Sequence, residues 1–557
     1  MNDKAEARLS EAFAALQLGQ PERAERLLQG LLRKTPRHFD ALIALGAVRG
    51  EQGRFDDAAA LFERAAKVRP DNADAHYNLG VALACRGSAE RALDCYRSAL
   101  RAEPRHLNAC NNLAAGLLAL DRPGEALACV QQGLKHHPGD AQLVSKLGTA
   151  LNDLGRADEA IDAFRQVARI RPNDPLNHGN LGLALRKADR HDEAIRSFEQ
   201  AVSLDPRLAS HHNHLGLSLS DSGRLDDALA SLRRAVELDP NSAEFRENLG
   251  LTLLLKGDFE EGWPQYESRH QLERFKSRRP AIDAPMWQGE PVANRSILVY
   301  SEQGFGDTIQ FVRYVPLLAS MGASVTLAVQ PRLIPLLSSL SRCASLVAAG
   351  TVHGPFDFQC ALLSLPHGFR TTLASVPAAV PYLAADGALV ARWRERIGED
   401  GFKIGICWQG SPNYQADRGR SIQLREFAPL AAIPGVRLIS LQKDFGAEQI
   451  AGAGFRVETL DERFDEAGAF VDSAALMMAL DLVVSSDTSI LHLAGALARP
   501  LFVALRRVPD WRWLLDREDS PWYPTARLFR QRSMGDWSDV FARIATETRA
   551  MASARDS

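Results

Sequence analysis

Three short stretches carry residue types that could do chemistry. The first is Ser301-Glu302-Gln303-Gly304-Phe305-Gly306-Asp307-Thr308-Ile309-Gln310, which follows the apolar run Ile297 to Tyr300. That run is short and β-rich, and the pattern from Thr308 to Ala319 has helical spacing, so the stretch reads as strand, glycine turn and helix start. Gly304 and Gly306 allow a sharp turn with no side chain between backbone and ligand. Asp307 then stands near a helix N-terminus at the mouth of a sheet. Two chemistries fit it: an N-cap opposing the helix dipole, or a general base exposed to a cleft. The second stretch is Asp487-Thr488-Ser489 with His492 one turn on. Hydroxyls and N–H groups at a helix start can cradle phosphate, and His492 shares a helix face with Thr488. The competing reading is a capped helix with a core histidine. Asp487 would repel phosphate, which assigns it to loop structure or to an uncharged part of a ligand. The third runs from Trp408, Gly410 and Ser411 to Arg418, Arg420 and Ser421, where guanidinium forks suit phosphate oxygens unless they are simply solvated. Lys443, at the end of the next strand, is a further candidate cation. Asp472 and Ser473 read as a helix cap. Arg506 and Arg507 end a strand just before Trp511 and Trp513, of which one flanks a ligand ring or both are core. Glu302 and Gln303 are weaker neighbours of Asp307, able to orient a ligand or act as second base.

These stretches sit in a half of the chain where strands alternate with helices. Strands are expected at Ile297–Tyr300, 323–329, 345–348 and 356–361, with helices at 331–340 and 390–397. The pattern restarts with strands at 403–408, 436–441, 482–486 and 501–505 and helices at 424–431, 473–480 and 490–497. Such alternation implies parallel sheets, and the restart near Asp400 implies two Rossmann-like lobes facing a cleft.

The other half repeats. Leu-Gly or Leu-Ala pairs begin at Leu45, Leu79, Leu113, Leu147, Leu181, Leu215 and Leu249, each a 34-residue step. Alanines recur from Ala24 and Ala58 to Ala228, prolines from Pro36 to Pro240, and larger residues at Phe62, Tyr96, Val130, Phe164, Phe198 and Leu232. Each unit is two antiparallel helices, brought close by small residues and ended by proline; stacking buries the face that one hairpin leaves open. The segment from Leu16 to Pro36 is expected to be a half-repeat cap. Asn78, Asn112, Asn180 and Asn248 precede the Leu-Gly or Leu-Ala pair, with Lys146 and His214 in two of the three other places. Asparagine can donate to and accept from an extended peptide, or can merely solvate its helix.

The 34-residue pattern resembles the tetratricopeptide repeat, and the asparagines resemble the ladder with which O-linked N-acetylglucosamine transferases hold acceptor polypeptide. The Ser301–Gln310 stretch, the strand ending at Trp408 and the segment from Ser485 to His492 together look like the heptosyltransferase-type glycosyltransferases, over about residues 296 to 545. The layout resembles bacterial proteins that join such repeats to such a domain, some of which glycosylate flagellin. The resemblance implies an α-solenoid followed by an α/β GT-B fold: solenoid 1–257, connector 258–295, acceptor lobe 296–400 and nucleotide-sugar lobe 401–557. It also implies Asp307 as catalytic base. The donor would be held by Gly304, Gly306, Trp408, Gly410, Ser411, Arg418, Arg420, Lys443, Asp487, Thr488, Ser489 and His492. No cofactor or metal is expected, the nucleotide sugar being a substrate, and the chain has no Asp-x-Asp. The function implied is inverting transfer of a sugar to a protein acceptor held by the repeats. A glycan or lipid-linked acceptor, or a scaffold with a degenerate transferase domain, are the alternatives.

Composition fits a soluble globular protein of several domains: 557 residues, 46% apolar, 24% charged. A net charge of −3 gives no general affinity for nucleic acid or acidic membranes. Seven cysteines without C-x-x-C pairs read as buried reduced thiols. Met1 to Glu11 is charged and unlike a signal peptide, and no apolar run approaches a membrane span, so the cytoplasm is the expected location. Trp263 and Trp287 are expected to glue the solenoid to the lobes.

Overall fold

The computed structural model describes residues 2–412, 417, 419–460 and 463–556. The chain forms two compact units, Met1–His214 and Leu215–Ser557. In the first, helical hairpins follow one another from Asn2–Gln17 with Pro21–Lys34 to Pro175–Lys187 with His191–Leu204. The opening hairpin is therefore complete, against the expected half-repeat: Leu9 and Ala12 of its first helix are buried with Leu28 and Leu31 of its second. The small-to-large pattern has a direct steric cause. A Cβ placed on Gly46, Gly80, Gly148 or Gly182 would lie 2.6–2.7 Å from the rings of Phe62, Tyr96, Phe164 and Phe198, respectively. Where Ala114 stands in place of glycine, the facing residue is only Val130, so the gap is filled either way. Arg97 and Arg165 reach Glu125 and Glu193 in the next hairpin. Each second helix ends two residues before its proline, as at Lys34 and Val68. The thiols are all free, but Cys85 is exposed rather than buried.

The second unit begins with the same hairpins. Leu232 fills the space over Gly216, and Arg233 reaches Glu261. The last pair, Ala243–Lys256 and Phe259–Tyr266, leads through a short 3₁₀ turn (Glu267–Gln271) into the connector. Two sheets follow, every strand pairing parallel. The first contains β1 (Ser296–Tyr300), β2 (Ser324–Val329), β3 (Ser345–Ala348) and β4 (Phe358–Ala361) in the order β3-β2-β1-β4. The second contains β5 (Phe402–Cys407), β6 (Val436–Ser440), β7 (Leu482–Ser485), β8 (Leu501–Leu505) and β9 (Ala526–Arg530) in the order β6-β5-β7-β8-β9. β5 is buried along its whole length, as expected of a central parallel strand covered on both faces.

Several predicted helices are shorter or tighter. The segment after β1 starts at Phe305, turns 3₁₀ at Val312–Tyr314 and resumes at Val315–Ser320, where Pro316 fits the first turn of a helix but not its interior. The span 331–340 is two 3₁₀ pieces, Pro331–Leu333 and Leu336–Arg342, and 424–431 is 3₁₀ up to Phe427. β9 and the helix Ser538–Asp556 were not read from the sequence; β9 is bounded by Ala526 and Arg530 and carries two arginines, which masks its apolar signal.

Buried aromatics and one charge network join the last hairpin to the sheets. Trp263 donates its indole N–H to the Thr371 carbonyl at 2.9 Å and packs edge-on against Trp511, with Phe259 stacked on Trp522. Trp287 instead packs within the first lobe, on Phe369. Arg269 is wholly buried and donates to Glu302 at 2.8 Å, Ser364 at 2.7 Å and Glu267 at 2.6 Å. Gln303 donates to the Tyr266 hydroxyl at 2.9 Å. Glu302 and Gln303 thus serve as anchors for the turn that follows, not as a second base. Replacing Arg269 with Ala would leave buried carboxylates without a counter-charge. Equilibrium urea unfolding should register a loss of about 3–5 kcal/mol.

Candidate functional site

Both sheets present their strand C-termini to one cleft of about 410 Å³. In each, the loops at the cleft leave strands beside the point where strand order reverses. β1 lies between β2 and β4, and β5 meets β7. Crevices at such switch points are where open parallel sheets take ligands.

From the first sheet comes the helix Phe305–Phe311, capped at Gly304. Asp307 is its third residue and not its N-cap. One carboxylate oxygen accepts the Gly304 N–H at 2.9 Å, and the other accepts from Arg512 at 2.5 Å. About 20% of the side chain remains open, on the cleft side. Neither glycine adopts a left-handed conformation; φ is −71° at Gly304. Gly306 is required by proximity: a Cβ there would lie 2.9 Å from the His492 ring and 3.3 Å from the Ser489 hydroxyl.

From the second sheet comes the helix Ser489–Ala496, whose N-cap Thr488 makes no side-chain cap. The Thr488 hydroxyl meets that of Ser485 at 3.1 Å instead, leaving the helix start to face the cleft. His492 is buried; its Nδ1 meets the Tyr523 hydroxyl at 2.9 Å and its ring stacks on Trp513 at 5.8 Å. Burial, with Arg512, Arg313 and Arg420 nearby, pushes its pKa well below the ordinary value. It is therefore a neutral imidazole held by its neighbours, and one edge still lines the cleft.

Gly410, Ser411, Arg420, Lys443 and Asp487 also line the cleft. Arg420 lies 3.6 Å from Asp417, and Lys443 donates to the Phe464 carbonyl at 2.7 Å. Burial and the adjacent Asp510 push the Asp487 carboxyl up to about 6. Trp408 is a correction. Its side chain is fully buried, packs on Phe427 and donates to the Gly446 carbonyl, so it belongs to the core and not to a ligand site. Arg418 lies outside the described residues. Asp472 is no cap either: it accepts from the Trp393 indole and the Asp465 N–H, tying the segment before its helix into the core. Trp511 and Trp513 are both core; Arg506 and Arg507 are exposed, and Arg506 borders a small pocket beside the cleft with Arg420, Asp487 and Asp510.

Sequence reasoning missed Arg512, Asp510, Gln442 and Phe470. Gln442 accepts from the N–H groups of Trp408 and Gln409 and donates to the Gln409 carbonyl, shaping the loop after β5. Phe470 lines the cleft in a left-handed conformation (φ 66°), edge-on to Phe305 across the gap, a costly geometry for a bulky residue. Arg512 stood in the sequence between two tryptophans that drew the attention. Asn78, Asn112 and Asn180 lie half-buried on first helices of the first unit, and Asn248 is half-buried in the second. Lys146, at a matching place, donates to Asn111 in the preceding hairpin at 3.1 Å.

The chain thus carries helical-hairpin repeats in its N-terminal half and, in the second unit, a two-sheet α/β body with a cleft. Its N-terminal region consists of tetratricopeptide repeats. Family models described as tetratricopeptide repeat match residues 9–49, 43–106, 111–175 and 175–208, and one described as TPR repeat matches 218–257. The chain is 30% identical over 327 residues to Protein FlbA of Caulobacter vibrioides; the match covers 54% of each chain, so this chain spans about half that relative's length. Among solved structures, YrrB, described as a TPR protein with an unusual peptide-binding site, is 20% identical, with a TM-score of 0.30 over 32% of this chain and 92% of its own. A tetratricopeptide repeat protein from Parabacteroides merdae is 18% identical, with a TM-score of 0.36 over 45% and 99%. No helix among the described residues is long and apolar enough to cross a membrane.

Two outcomes follow from this geometry. Gly306→Ala drives a methyl into His492 and should cost about 1–3 kcal/mol in unfolding free energy. The depressed His492 pKa means that the unfolded chain takes up a proton that the folded one refuses. Its contribution to stability is present above about pH 6.5 and is lost as pH falls further. Urea unfolding at pH 7.5 and 5.5 should show a decline that His492→Gln reduces, by up to about 1.4 kcal/mol per pH unit below pH 6.5.

Proposed function

We propose that the protein is an inverting glycosyltransferase of GT-B type that moves a sugar from a nucleotide donor to a polypeptide held by its repeats. One observation carries this reading: a partly open carboxylate from one sheet, Asp307, and a phosphate-suited helix start from the other, at Thr488 and Ser489, line the same cleft. Asp307 takes the proton of the acceptor hydroxyl as its oxygen bonds to the anomeric carbon. The bond from that carbon to the phosphate oxygen breaks, and the nucleotide leaves with the electron pair. Attack opposite the leaving group inverts the configuration. Arg420, Lys443 and the Ser489 helix start face the charge that develops on the phosphate. The buried, neutral His492 donates or accepts a hydrogen bond to the donor without adding charge. Gly410 and Ser411 let the donor approach the loop after β5. In this reading the donor is the only small-molecule partner, no resident cofactor takes part, and the work is done in the cytoplasm.

The acceptor follows from the repeats, which are of a protein-binding kind, with Asn78, Asn112 and Asn180 offered to an extended chain. The resemblance to transferases that modify flagellin makes flagellin the first acceptor to try. The test uses the full chain with UDP-glucose, UDP-N-acetylglucosamine, GDP-mannose and CMP-N-acetylneuraminate, with flagellin present. Nucleotide release and the intact mass of the flagellin are measured. Asp307→Asn should lower release at least about 100-fold while nucleotide binding persists. Equal turnover by variant and wild type removes the assigned base, and no release from any donor leaves the repeat scaffold as the better description.

A further inference from the structure

Among the described residues, Arg512 is placed as no other cation of the cleft is. Each of its three guanidinium nitrogens has a fixed oxygen partner: Nε donates to Gln310 at 2.6 Å, one terminal nitrogen to Asp510 at 2.8 Å, and the other to Asp307 at 2.5 Å. Its plane lies over the Trp511 ring at 4.5 Å and near Phe311 at 5.6 Å. Only 9% of the side chain is exposed. A guanidinium so enclosed is not available to a phosphate. Lys443 and Arg420, by contrast, hold a carbonyl and a distant carboxylate.

We propose that Arg512 is the positioning residue for Asp307: it crosses from the second sheet to the first and locks the carboxylate in one rotamer aimed into the cleft. This rests on the reading of Asp307 as the base. With one oxygen on the Gly304 N–H and the other on Arg512, the carboxylate cannot turn away, and its remaining lone pairs face the cleft. Asp510 is the second half of the device, because it draws on the same guanidinium.

The charges around Asp307 come from every side. Arg512 and Asp510 lie on the segment after β8, Asp487 just after β7 with its carboxyl raised by burial and by the same Asp510, neutral His492 on the Ser489 helix, Glu302 on the Asp307 loop itself, already paired with Arg269, and the Tyr266 hydroxyl at the end of the last hairpin. Burial raises the Asp307 pKa above the ordinary carboxylate value; Arg512 opposes the rise and Asp510 adds to it. The two partners therefore predict opposite shifts. A carboxylate loses a stabilising cation in Arg512→Met and a repelling anion in Asp510→Asn.

The experiment titrates the full chain labelled with [γ-13C]aspartate, the Asp307 resonance being identified by its absence in Asp307→Asn. Arg512→Met should move the Asp307 midpoint up by about one pH unit or more, and Asp510→Asn should move it down. The acidic limb of the pH profile for nucleotide release from the fastest donor of the panel should move in the same directions. Arg512→Lys should lower kcat about tenfold at unchanged donor KM, because a point charge replaces a fork. Asp510→Asn keeps the oxygen that caps the following turn, and so tests the idea even where Arg512→Met does not fold. A midpoint unmoved or raised in Asp510→Asn would overturn the inference. So would a donor KM that rises in Arg512→Lys while kcat and the limb stay put. Neither result touches the assignment of Asp307, which falls only if Asp307→Asn keeps wild-type turnover.

Discussion

The cleft depends on how closely two short helices can approach. The helix that carries Asp307 and the helix that carries His492 meet at Gly306, where a single methyl group would collide with the imidazole ring. That contact brings the C-terminal edge of one parallel sheet against that of the other. The Arg512–Asp307 pair and the Arg512–Gln310 bond then cross the same gap. Arg313 adds a further link, donating to the Trp522 carbonyl and to the Tyr382 hydroxyl. The lobes are joined by buried charge and by packing at the place where the chemistry would occur. Removing one partner of such a buried pair costs far more than the pair itself contributes over an apolar alternative.

The end of the solenoid belongs to the same construction. Its last helix contributes Phe259 and Trp263 to an aromatic core shared with Trp511 and Trp522. The turn beyond it sends Arg269 to Glu302 and offers the Tyr266 hydroxyl to Gln303. These two residues immediately precede the Gly304 cap. The loop that aims Asp307 is therefore held from the repeat side as well as from its own sheet. Repeats and cleft are adjacent in sequence and continuous in structure within the second unit.

Inside the repeats the rule is volume exchange. A glycine on one helix is matched by an aromatic ring or, over Gly216, by a leucine on the next, and an alanine by a valine. This keeps the interhelix gap filled, and ion pairs such as Arg97–Glu125 and Arg165–Glu193 tie neighbouring hairpins together. Buried thiols such as Cys110 serve the same filling role, its sulfur lying 3.7 Å from that of Cys129.

The sequence by itself determined the periodic and local features. The 34-residue step, the strand–glycine–helix turn at Asp307 and the strand just before Asp487 are each set by nearest neighbours along the chain, and backbone sterics with apolar spacing suffice to reveal them. The shared cleft was inferred only because two alternating patterns imply two sheets with a gap. What tertiary structure alone decided is which polar residues meet across it. Trp408 looked like a ligand-facing residue because it ends a strand, yet the pleat turns its side chain into the core. Glu302 looked like a second base because it adjoins Asp307, yet the same alternation directs it to Arg269. Arg512 lies some 200 residues from Asp307 and in no motif with it. Its importance comes from desolvation and from the fixed fork of a guanidinium. Both are properties of an enclosure, and the enclosure exists only once both sheets and the last hairpin have packed.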